Sequence, residues 1–108
     1  MSSFDDFKNE LESELKDLIQ KSWNAVSGQA TADAKDFVEQ SEADLQRWTA
    51  LLANRSLTLQ DFEFLLAAKK DLAELSALKE AGLAQVQLDR FINGVVGAII
   101  NAASKMFG

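Results

Sequence analysis

Five large apolar residues, Phe4, Leu15, Val26, Phe37 and Trp48, stand eleven positions apart on one unbroken ladder. Eleven residues make three turns at about 3.67 residues per turn, so the ladder holds to one face of an α-helix. Nothing in the composition opposes a helix. The chain of 108 residues has no proline and only five glycines. Proline would remove a backbone donor and cost about 3 kcal/mol inside a helix. An all-α fold is expected, as a single domain over residues 1–108.

The N-terminal stripe is thin. Phe4, Phe7, Leu11, Leu15, Leu18, Ile19 and Val26 occupy about a third of the helical wheel, and the rest is polar, as for a helix with one side in water. Asp5 and Asp6 suit the positive first turn. The pattern weakens at Gly28 and resumes in step at Phe37, Leu45, Trp48 and Leu52. The clearest stop is Asn54-Arg55-Ser56-Leu57-Thr58, where Thr58 and Asp61 have the spacing of a capping box. A second pattern runs through Leu59, Phe62, Leu65, Leu66, Leu72, Leu75 and Leu78, and Ala81-Gly82-Leu83 reads as a left-handed helix end. Residues 90–107 are helical again.

These boundaries predict an antiparallel helical hairpin with arms at about residues 4–53 and 59–107. With its turn near residue 56, residue i faces roughly residue 112 − i. Gly28 and Gly82 then fall at one level and are the candidate hinges. Straight arms would be about 75 Å long at 1.5 Å per residue. Arms bent at both glycines would make a four-helix bundle.

The C-terminal segment carries more apolar surface than one neighbour covers. Phe91, Ile92, Val95, Val96, Ile99, Ile100, Met106 and Phe107, with Ala98, Ala102 and Ala103, sweep an arc of roughly 200° at 100° per residue. A single antiparallel neighbour covers about half of that. The surplus has three candidate covers: the chain's own folded-over core or a second copy, a different helical protein, or a lipid surface. Gly94, Ala98 and Ala102 form a row of small residues that permits close helix contact. Trp48 lies on the ladder and is expected in the core, whereas Trp23 at the stripe's edge is a candidate contact between molecules.

Catalytic chemistry is short of groups. Histidine, cysteine and tyrosine are absent, so histidine triads, thiol nucleophiles, tyrosine acids and histidine metal sites are all excluded. Glu10 with Glu14, and Glu39 with Glu42, share helix faces on which a hard cation would be held only loosely. Such charge runs are more simply solvated faces, and no metal or cofactor is expected. The formal charge of −6 is uneven: residues 1–44 carry eleven acids and four lysines, residues 45–108 six acids and seven bases. Arg47, Arg55, Lys69, Lys70 and Lys79 form no continuous basic run, so nucleic acid is not an expected partner. Lys69 and Lys70 are expected to pair with Glu63 or Glu74 at helical spacing.

The start, Met-Ser-Ser-Phe-Asp-Asp, lacks the pattern of a signal peptide, and no stretch reaches the ~20 apolar residues of a membrane span. A cytoplasmic location is expected. The sequence predicts a non-enzymatic interaction or assembly protein that self-associates, as a homo-oligomer, through residues 83–107. The alternative is a lipid-interacting protein (granule coat, membrane remodeller or pore former) that inserts the same residues.

Overall fold

The computed structural model describes residues 3–107, and among these the regular structure is entirely helical. The helices are α1 (Ser3–Ser22), α2 (Ser27–Gln40), α3 (Glu42–Ala53), α4 (Leu59–Lys70), α5 (Ser76–Glu80) and α6 (Gln85–Phe107), with a single 3-10 turn at Asn24–Val26. The longest dimension is 42 Å. Straight arms of about 75 Å are therefore not formed, and the chain takes the bent alternative.

The hairpin register nevertheless survives the bending. Phe7 meets Phe107, and Trp23 meets Phe91 edge-on with ring centroids 5.3 Å apart, between α1 and α6. Asp33 bonds Ala77 and Leu78 between α2 and α5, and Trp48 meets Phe62 edge-on between α3 and α4. In each of these contacts the two residue numbers add to between 110 and 114, which is the expected facing rule.

A second set of contacts locates the bends. Lys8 of α1 pairs with Glu42 at the start of α3, a spacing centred on residue 25 inside the 3-10 turn. Lys70 of α4 bonds Asn93 of α6, centred between Ala81 and Gly82. Gly82 has a positive φ of 92°, and the amides of Gly82 and Leu83 return to the carbonyls of Lys79 and Leu78. That is the left-handed helix end expected there, and a side chain would resist its φ. Gly28 has another place. It lies inside the first turn of α2, and the first arm turns ahead of it, at Trp23–Val26. The ladder from Phe4 to Trp48 is thus divided among α1, the 3-10 turn that holds Val26, α2 and α3, because α2 also ends at Ser41.

The turn between the arms forms without glycine. Asn54 ends α3, Arg55 takes φ 65°, and the amides of Arg55 and Ser56 reach back to the carbonyls of Leu52 and Leu51. The capping box follows: Asp61 N–H donates to Thr58 Oγ1 at 3.1 Å, and Thr58 N–H donates to Asp61 Oδ2 at 3.3 Å. Bending lets α6 touch more than one neighbour. It packs most extensively on α1, then on α4, with α3 adding a smaller contact. Phe91, Val95, Ile99, Ala102 and Ala103 are completely buried as a result.

Candidate functional site

The residues expected to seek outside cover are mostly inside the molecule. Phe91, Ile92, Val95, Val96, Ala98, Ile99 and Ala102 belong to the core, and Ile100, Met106 and Phe107 are half-buried. The premise of a surplus apolar face assumed one neighbour, and the bent arms supply three. Fully burying a Val, Ile or Phe is worth about 1.5–3 kcal/mol. Withdrawing α6 from this core would therefore cost on the order of the 5–15 kcal/mol that holds a whole domain folded. In the folded chain that face is spent.

The small-residue row has a physical use. A Cβ on Gly94 would sit 3.3 Å from both methyl carbons of Leu18, so α1 approaches α6 closely there. Ala98 and Ala102 continue the row and are buried. Trp23 is half-buried, its ring set against Phe91 of its own chain.

Glu10, Glu14, Glu42 and Asp44 are committed to lysines. Lys105 Nζ donates to Glu10 at 3.0 Å and also to Glu14, tying the end of α6 to α1. Its pKa is raised by the hydrogen bond to Glu14 first and by Glu10 next. Lys8 is held above its ordinary range chiefly by its hydrogen bond to Glu42. Asp44 of α3 binds Lys69 of α4 and Arg47, and the Lys69 hydrogen bond foremost holds its carboxyl below the ordinary carboxylate range. Lys69 and Lys70 thus reach across to Asp44 and Asn93, not to Glu63 or Glu74. Among the described residues no group of three or more acidic side chains is gathered as a metal site, and no helix is long and apolar enough to cross a membrane.

What the surface offers instead is a groove of about 670 Å³ between α1 and α2. Leu11, Leu15, Ile19, Ala34 and Val38 line it, with Leu15 and Val38 only half-buried. Its rim is charged: Lys8, Glu12 and Lys16 on the α1 side, Lys35, Glu39 and Glu42 on the other. Among the described residues, three large apolar side chains are exposed elsewhere: Phe64 on α4, Leu72 after it, and Val86 in the first turn of α6. A second hollow of about 450 Å³, under the α4–α5 connection, is lined mainly by polar residues including Lys70, Glu74, Lys79 and Asp89.

The groove escaped sequence reasoning because it exists only once α2 lies beside α1. Its one sequence signal is the i, i+4 alternation Lys8-Glu12-Lys16 beside the half-covered Leu15. Comparison of the chain with protein-family models, with curated proteins and with solved structures finds no match in any of the three.

Proposed function

We propose that this is a non-enzymatic helical assembly protein that associates with copies of itself. The observation that carries the reading is the α1–α2 groove, an open apolar channel with a rim of both charge signs. Exposed apolar surface rimmed by polar residues is the usual mark of a protein contact. In this reading α6 is the core on which the contact face is built, and its apolar residues act by holding α1 in place. The chemistry of the chain agrees: histidine, cysteine and tyrosine are absent, and lysines occupy Glu10, Glu14, Glu42 and Asp44.

Sedimentation equilibrium tests it directly. A mass above one chain, rising with concentration between about 10 and 200 µM, is expected for an interface of this modest size. A strict monomer throughout that range overturns the reading.

A second reading, insertion of residues 83–107 into lipid, draws its support from Val86, a large apolar side chain of that segment left in water. It requires α6 to leave the core. Co-flotation with neutral or anionic liposomes, abolished by Ile99→Asp, would favour it over assembly.

A further inference from the structure

The groove's charges select one partner and one geometry. At one end of the groove Lys8 of α1 pairs at 2.7 Å with Glu42, the first residue of α3, so α1 and α2 run antiparallel about a turn centred on residue 25. About that centre Glu12 falls within one residue of the level of Glu39, and Lys16 within one residue of Lys35, and all four line the groove. The rim is therefore banded, an acidic step beside a basic step. Glu12 and Lys16 are four residues apart, about 6 Å along the helix, as are Lys35 and Glu39. All four are exposed, and among the described residues none of them is in an ion pair.

We infer that the groove is an isologous interface in which a second copy of this chain docks antiparallel, α1 on α1 and α2 on α2. The inference rests on the self-association proposed above and names its face. The two-fold axis crosses the groove between Glu12 and Lys16 on α1 and between Lys35 and Glu39 on α2. These crossing points are residues 14 and 37, within one residue of a common level about a turn centred on residue 25, so one nearly straight axis serves both helices. Each Glu12 then meets Lys16 of the other copy, and each Lys35 meets Glu39, while Leu15 and Val38 close over the centre. The rival two-fold, parallel to the helices, stacks α1 on α2. It would put Glu12 against Glu39 and Lys16 against Lys35, and like charges at an interface act against pairing. Lys8 and Glu42, already paired, fall opposite uncharged positions near Gln20 and Ala32. Two helices about 30 and 21 Å long present roughly 500 Å² per copy, which places the contact among weak, reversible interfaces.

Charge reversal separates the outcomes. Glu12→Lys and Lys16→Glu, each at an exposed position, turn two attractive contacts per dimer into two repulsive ones. Each variant alone should weaken dimerisation at least ~10-fold in sedimentation equilibrium at low salt. An equimolar mixture of the two should restore it to within ~3-fold, because the mixed dimer regains opposite charges at both contacts. The pair Lys35→Glu and Glu39→Lys repeats the test on α2, and far-UV circular dichroism establishes that each variant is folded. Single reversals that weaken association without rescue in the mixture overturn the antiparallel register. Association unchanged by all four substitutions overturns this face but leaves self-association standing. A wild-type monomer at 200 µM overturns both.

Discussion

Asp33 shows how one residue can hold a helix it does not belong to. It is 4% exposed, on α2, and its two carboxylate oxygens accept the amides of Ala77 and Leu78 at 3.1 and 2.8 Å. Those amides open α5, only five residues long and far too short to persist by itself. The residue before α5 is Leu75, in the left-handed conformation with φ 48°, and leucine has no side-chain oxygen to cap with. Its strained backbone is tolerated because its side chain is buried. Replacing Asp33 by Ala leaves two amides without acceptors at the α2–α5 contact. A loss of about 2–3 kcal/mol is expected in urea unfolding, and Asp33→Asn, which keeps one acceptor, should lose less. Nothing in the sequence singled out Asp33, since its partners lie 44 and 45 residues away.

At the scale of the helix, three glycines sit in helical backbone and differ in what surrounds them. A Cβ on Gly28 or Gly97 would meet nothing within 4 Å, whereas one on Gly94 would press on Leu18. Gly28→Ala and Gly97→Ala should each raise stability by about 0.5–1 kcal/mol, the helix preference of alanine. Gly94→Ala should gain less, because Leu18 must shift by a few tenths of an ångström; thermal unfolding of the three variants gives the order. Gly28 drew attention in the sequence as a helix weakness, and the chain does weaken nearby. The bend settles three residues earlier because Trp23 gains an aromatic partner in Phe91 there. The capping box at Thr58 and the left-handed turn at Gly82 were legible for the opposite reason. Each is made by residues within five positions of one another.

For the whole molecule, ion pairs that join distant elements set how stability follows pH. Asp44 links α3 to α4 and has a depressed pKa, caused first by the Lys69 hydrogen bond. A depressed carboxylate stabilises the fold above its unfolded value near pH 4 and loses that contribution as pH falls through its folded value. Lys105 joins α6 to α1 and has a raised pKa, caused first by Glu14. Its contribution is complete below about pH 10 and fades as pH rises through its folded value. Urea midpoints should therefore be flat between about pH 5 and 9 and fall on both sides. Asp44→Asn should lower the plateau and shallow the acid limb while leaving the alkaline limb in place.

Sequence alone determined what depends on near neighbours and on periodicity: an all-helical chain, its central turn, two capped ends, and the pairing of the arms about residue 56. That pairing holds from Phe7 with Phe107 to Trp48 with Phe62, because an antiparallel hairpin has only one register once its turn is known. Tertiary structure alone decided where the paired arms double back, and with it the fate of both apolar surfaces. Two bends, centred on residue 25 and beside Gly82, bring α3 and α4 over α6 and lay α2 along α1. The wide C-terminal arc gained several neighbours and became core, while the narrow N-terminal stripe kept an open groove. The physical reason is area. A 200° arc gains more from burial than a thin stripe does, so the fold closes over α6 and leaves Leu15 and Val38 half-buried in the groove.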